Sequence, residues 1–208
     1  MIVDERIITF INSLDTKNSE ILEDIEREAL ADNVPIIRRE MQSFLKVLLM
    51  VKKPMRVLEV GTAVGFSALL MSEYVPEECA ITTIENYEKR IPIARQNFVR
   101  AGKEKKITLL EGDAMDVLKT LEGPYDFIFM DAAKGQYIHY MPEAVRLLSD
   151  GGILMSDNVL QDGDIIESRF AVERRNRTIH SRMRDYLYEL KHSDVLETSI
   201  IPLGDGVA

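Results

Sequence analysis

The 208-residue chain carries a single cysteine, Cys79, and no apolar run long enough to cross a membrane. One thiol has no partner for an intrachain disulfide or a thiolate metal centre, so Cys79 reads as a small buried hydrophobe and the chain as a protein of a reducing, cytoplasmic setting. A secretory leader is not expected, because Asp4, Glu5 and Arg6 interrupt the apolar start. Internal repeats, low-complexity tracts and linkers are also missing, which predicts one domain over 1–208, with N-terminal helices over 1–53 and a core over 54–208. Positive charge is in short supply. The net charge of −9 argues against non-specific nucleic-acid binding by the whole surface and leaves only a local basic patch open. With 46% hydrophobic and 29% charged residues, the composition is that of a globular protein with no membrane partner.

What is present is an alternation. Ile7, Ile8, Phe10, Ile11 and Leu14 fall at helical spacing within 2–14, and a second amphipathic segment covers 19–31; both read as surface helices. Pro35 ends that pair, and Phe44, Leu45, Leu48 and Leu49 define a third helix that stops before Pro54. Apolar strand-like runs follow at 56–60, 80–84, 107–110, 127–130 and 152–155, each separated by a segment of helical length. In one of these segments Ile91, Ala94, Phe98 and Ala101 share a face and Gly102 supplies the stop. Continuous apolar strands alternating with helices predict a doubly wound, Rossmann-like α/β sheet, mostly parallel and covered on both faces. After an Arg-rich segment at 169–184, a helix ending near Lys191, a strand over 195–201, a turn at Gly204-Asp205-Gly206 and the start of an antiparallel C-terminal strand at Val207 are expected.

Ligands in such sheets bind beyond the carboxyl ends of the strands, so the residues at the strand tips carry the information. The first strand leads into VLEVGTAVGFS at 57–67, a strand, glycine turn and helix start that suits a nucleotide-like cofactor, with Glu59, Gly61 and Ser67 as its marked positions. Glu85, 24 positions after Gly61, suits a ribose. The turn reads GTAVG and lacks the third glycine of a pyrophosphate cradle, a departure that S-adenosylmethionine tolerates because it has no phosphate. A dinucleotide-binding protein without methyl transfer stays open as a distant alternative. At Gly112-Asp113-Ala114 a carboxylate can accept from an adenine amino group or cap the following helix. The fourth and fifth tips, Asp131 and Asp157-Asn158, should lie side by side. Each is a turn former when taken alone; together they are the oxygen donors that Mg²⁺ or another hard divalent cation such as Mn²⁺ or Ca²⁺ prefers. Lys134 is either a solvated surface lysine or a general base for the same pocket.

The set VLEVGTAVGFS, Glu85, Gly112-Asp113-Ala114, FMDAAKGQY at 129–137 and SDNVL at 156–160 resembles the metal-dependent class I O-methyltransferases of the catechol and caffeoyl-CoA type, over most of the chain from Pro35 onward. Within that group QDGDIIESRF at 161–170 and the Arg-rich run are most similar to bacterial tRNA 5-hydroxyuridine methyltransferases. The resemblance implies S-adenosylmethionine contacts by Ile37, Glu59, Gly61, Ser67, Glu85, Asp113, Ala114 and Asp131. It implies a metal on Asp131, Asp157 and Asn158, with Lys134 as base. Ala133 stands where plant acyl-CoA enzymes usually carry an acid, which speaks against a caffeoyl-CoA substrate, and the family's last strand after Gly204-Asp205-Gly206 is cut short at Ala208. Methyl transfer to the 5-hydroxyl of wobble-position 5-hydroxyuridine in tRNA is the expected reaction, and a small catechol-like phenol the alternative. Both acceptors present two vicinal oxygens. The segment 169–184 holds six arginines against Glu173, a local +5, and Arg169, Arg174, Arg175 and Arg177 are its candidate RNA contacts. An Arg-laced dimer interface or a solvated helix face is the other reading of that segment; a homodimer is expected.

Overall fold

The computed structural model describes residues 2–208. Five parallel strands, β1 (Arg56–Val60), β2 (Ala80–Glu85), β3 (Ile107–Glu111), β4 (Tyr125–Met130) and β5 (Leu148–Ser156), form one sheet in the order β3-β2-β1-β4-β5. The order reverses direction at β1. Around the sheet run α1 (Glu5–Ser13), α2 (Glu20–Ala31), α3 (Arg39–Lys52), α4 (Phe66–Tyr74), α5 (Ile91–Arg100), α6 (Ala114–Thr120), α7 (Tyr137–Leu147) and α8 (Arg177–Lys191).

The two faces of the sheet are covered by different helices, and the period of two along each strand shows how. Val57, Phe127 and Phe129 join Leu22 of α2, Met41 and Leu45 of α3, Leu69 of α4 and Phe98 of α5 in one core. Leu58, Val60, Ile128 and Met130 join Leu118 of α6, Tyr137 and Tyr140 of α7 and Met183 and Tyr186 of α8 in the other. Strands covered on both sides are mostly apolar, which is why 127–130 reads as a continuous run and 57–60 as one interrupted only by the buried Glu59. α2 is therefore a core helix. Leu22, Ile25 and Ala29 are buried, against the expectation of a surface helix, because helical spacing does not say how deeply an apolar stripe is covered. α1 does lie on the surface, with no buried residue and with Ile7, Phe10, Ile11 and Leu14 exposed.

The C-terminal segment departs furthest from expectation. No strand forms over 195–201, and the antiparallel strand at Val207 is reduced to bridges with Asp157 and Ile201. Ser156 and Ala208 still exchange a pair of backbone hydrogen bonds, 2.8 and 3.0 Å long, so the chain's end is tied to the tip of β5. Among the described residues no helix is long and apolar enough to cross a membrane. Leu45 of α3 has no exposed surface. Leu45→Ala should therefore cost about 2–5 kcal/mol of unfolding free energy in a urea titration, whereas a loss below about 0.5 kcal/mol would remove α3 from the core.

Candidate active site

The register brings every strand tip to one edge. Val60 pairs with Ile84 and Met130, Glu85 with Glu111, and Met130 with Ser156, so Gly61, Glu85, Asp131 and Asp157 all follow the sheet at similar depth. A cavity of about 680 Å³ opens above them. Ile37, Gly61, Ser67, Glu85, Ala114 and Asp131 line it, together with Lys134, Asp157 and Asn158.

The turn after β1 is held by the protein itself. Gly61 has φ +104°, and a Cβ on it would lie 2.1 Å from the Asp131 carbonyl oxygen, so glycine is needed for the close approach of the β1 and β4 tips as well as for any ligand. Ala63 sits at φ +47°, and its N–H donates to Glu85 Oε2 at 2.7 Å. Glu85 Oε1 accepts from the N–H groups of Asn86 and Tyr87 at 3.0 and 2.9 Å. The acidic residue chosen for its spacing thus also locks the glycine turn to the end of β2. Ser67 and Thr83 both donate to the fully buried Glu59, and Thr83 is 2.6 Å from Thr62. Burial pushes the Glu59 carboxyl up to about 7 despite these two donors, with the charges of Asp131 and Glu85 adding to the rise.

Two expected cofactor contacts lie outside the cavity lining: Glu59, fully buried and bonded to Ser67 and Thr83, and Asp113. Asp113 is exposed and its side chain accepts from Met115 N–H at 2.9 Å as the N-cap of α6. The cap is formed through Oδ1, because an acid directly before a helix reaches the free N–H groups of the first turn, and a capping carboxylate can still accept through its other oxygen. Its neighbours Gly112 and Ala114 line the cavity.

Asp131, Asp157 and Asn158 come together because β4 and β5 are adjacent. Asp157 N–H donates to Met130 O at 3.0 Å, and the buried Tyr137 hydroxyl, 3.0 Å from Met130 O and 3.2 Å from Asp157 O, accepts from Ala132 N–H at 3.3 Å. Tyr137 therefore fastens the two tips, a role that no feature of its spacing announced. Burial, reinforced by the Asp131 charge, pushes Asp157 up to about 7. Lys134 Nζ lies 3.0 Å from Asp131 Oδ1. Two carboxylates and an amide fit a hard divalent cation by donor type, and a cation there would relieve the mutual repulsion that raises Asp157. The set contains an amide oxygen; among the described residues no group of three or more His, Cys, Asp or Glu side chains is arranged to hold a metal.

The Arg-rich segment divides. Arg177 donates to the carbonyls of Val172 and Phe170 at 3.2 and 3.1 Å, Arg182 to Gly135 O at 3.1 Å and Arg184 to Ile165 O at 3.1 Å, while Arg175 pairs with Glu173 at 2.7 Å. Of these, Arg182 holds the turn that carries Lys134, and the others fasten the segment 165–173. Arg169, Arg174 and Phe170 are all exposed, and Arg177 lies 5.8 Å from the Phe170 ring centroid. Sequence reasoning also passed over Arg38 and Asp205, which line the same cavity from opposite ends of the chain. The glycines flanking Asp205 were the one visible signal.

The sequence model of the O-methyltransferase family matches residues 12–208. The chain is 32% identical over 178 residues to caffeoyl-CoA O-methyltransferase 2 of Populus trichocarpa, covering 79% of this chain and 69% of that protein. It is 34% identical over 128 residues to a catechol O-methyltransferase of Niastella koreensis, covering 60% of this chain, and it spans 58% of that protein's length. Among solved structures, the SAH-bound methyltransferase of Podospora anserina superposes with a TM-score of 0.89 at 27% identity, covering 98% of this chain and 92% of that one.

The Glu59 environment sets a pH dependence with a definite sign. Its folded value, about 7, lies above the ordinary 4.5, so the folded chain keeps a proton that the unfolded chain has released. The resulting stabilisation is complete below about pH 4.5 and is lost as pH rises through 7, with an upper bound of about 3 kcal/mol. Glu59→Gln should flatten the fall in unfolding free energy between pH 5 and pH 8 in urea titrations. An unchanged slope would show that the carboxyl ionises normally.

Proposed function

The chain belongs to the O-methyltransferase family, and from that premise we propose that it is an S-adenosylmethionine- and divalent-metal-dependent enzyme that methylates one of two vicinal oxygens on a small catechol-like phenol. The observation that carries this reading is the convergence of Asp131, Asp157, Asn158 and Lys134 at one wall of the cavity above β1. Similarity to proteins named catechol and caffeoyl-CoA O-methyltransferases supports the acceptor class.

S-adenosylmethionine supplies a methyl group on a positively charged sulfur, and its transfer forms an oxygen–carbon bond while the carbon–sulfur electron pair returns to sulfur. Glu85 and the turn at Gly61 would seat the donor, with Ile37 and Ser67 beside it. Asp131, Asp157 and Asn158 would hold the cation, which supplies a template for two neighbouring oxygens and stabilises negative charge on the one that attacks. Lys134 takes the proton of the attacking hydroxyl. As an ammonium it then finds Asp131 Oδ1 at 3.0 Å, so the protonated base is stabilised where it is formed.

A second reading keeps the chemistry and changes the acceptor to 5-hydroxyuridine in tRNA. Arg169, Arg174 and Phe170, all exposed, favour it as two cations and a ring available to a phosphate and a base. Three acceptors distinguish the readings: a 1,2-dihydroxybenzene, a monohydroxybenzene and tRNA bearing 5-hydroxyuridine, each incubated with methyl-labelled S-adenosylmethionine and Mg²⁺. Label is expected in a monomethyl ether of the dihydroxy compound only, and Asp157→Ala or a chelator should lower that rate by at least roughly 100-fold. Labelled 5-methoxyuridine without labelled catechol ether would replace the first reading by the second, and turnover that survives both the substitution and chelation would end the metal-dependent mechanism.

A further inference from the structure

Asn158 stands at φ +59° directly after the buried carboxylate of Asp157, and its amide has a fixed partner. Its Nδ2 donates to Asp205 Oδ2 at 3.2 Å. The other carboxylate oxygen, Oδ1, lies 2.6 Å from Arg38 Nη2, an ion pair without hydrogen-bond alignment, and the same Nη2 is 3.3 Å from Asp162 Oδ1. Three segments far apart in sequence meet here: the approach to α3, the loop after β5 and the C-terminal turn.

The turn is held tightly enough to act as a fixture. Leu160 N–H donates to Asp205 O at 2.8 Å and Val159 N–H to Gly206 O at 3.0 Å. Gly206 has φ +88°, and a Cβ on it would lie 2.3 Å from Leu160 Cγ, so the turn and the loop after β5 pack backbone against side chain.

We propose that Asp205, held in place by Arg38, is the positioning residue that orients Asn158 as a metal ligand. This rests on the metal reading of the Asp131–Asp157–Asn158 cluster. A primary amide offers a donor on one branch and an acceptor on the other, and rotation about its last torsion exchanges them. Asp205 Oδ2 accepts from Nδ2, which fixes that branch of the amide and leaves Oδ1 of Asn158 as the branch available to the cavity that Asn158 shares with Asp131 and Asp157. Both oxygens of Asp205 are already engaged, which assigns it to holding Asn158 and not to ligating. Arg38 brings positive charge to Asp205 and Asp162 together.

The test is Mn²⁺ binding to the full chain by calorimetry, with S-adenosylhomocysteine binding measured separately on the same samples. Asp205→Ala should weaken Mn²⁺ binding by roughly 10-fold or more, as loss of an outer partner of a metal ligand does, while S-adenosylhomocysteine affinity stays within about twofold. The reciprocal exchange N158D with D205N preserves both volumes and reverses the hydrogen bond, so it should restore Mn²⁺ affinity to within about threefold of the parent. Its folding also keeps the question open to measurement if Asp205→Ala melts. An Asp205→Ala protein that binds Mn²⁺ within twofold of the parent overturns the proposal, as does a folded exchange variant more than tenfold weaker. A parent chain that binds S-adenosylhomocysteine and no Mn²⁺ removes the metal reading itself, and the positioning role with it.

Discussion

The tips of β1 and β4 approach so closely that Gly61 has no room for a side chain beneath the Asp131 carbonyl, and the geometry of the site depends on that approach. With β4 held against β1, the Asp131 side chain stands beside the turn that starts α4, and β5, paired to β4, delivers Asp157 and Asn158 next to it. Tyr137 closes the arrangement from below by bridging the carbonyls of both tips. The donor side and the acceptor side of the cavity are thus two ends of one packed strand pair.

This compression has an electrostatic consequence. Glu59 and Asp157 are buried and raised to about 7, each with Asp131 among the causes, while Lys134 and Arg38 bring positive charge to the same wall. Carboxylates crowded this way are unfavourable in isolation and are retained where a cation or a proton is to be bound. The hydroxyls of Ser67 and Thr83 compensate Glu59 in part, and the chain Glu59–Thr83–Thr62 extends that compensation into the turn. The arginines of 169–184 take part differently, since Arg177, Arg182 and Arg184 donate to backbone carbonyls and so fasten the segment 165–172 and the turn after Lys134.

Local patterns announced most of the sheet and its helices. Runs such as 57–60 and 127–130 are short, mostly apolar, rich in β-branched or aromatic residues and followed by turn residues, the pattern of a buried parallel strand. The segment 195–201 has a similar look and stays irregular, tied down by the Lys191 Nζ–Thr198 O hydrogen bond and the Ile201–Val207 bridge. Depth of burial was equally illegible, as α2 shows.

For the site, sequence by itself determined which residue types stand at each strand tip: Glu59, Glu85, Asp131, Asp157 and Asn158 are legible because a parallel sheet presents all its C-terminal ends on one edge. The tertiary structure alone decided what those residues face. Asp113 turned to its helix because the first-turn N–H groups lie closest to it, Glu85 closed its own loop, and Arg38 and Asp205, 167 positions apart in the chain, became neighbours across the cavity. Spacing along a chain encodes contacts within one element and the next. Contacts between elements follow from which surfaces the core leaves free.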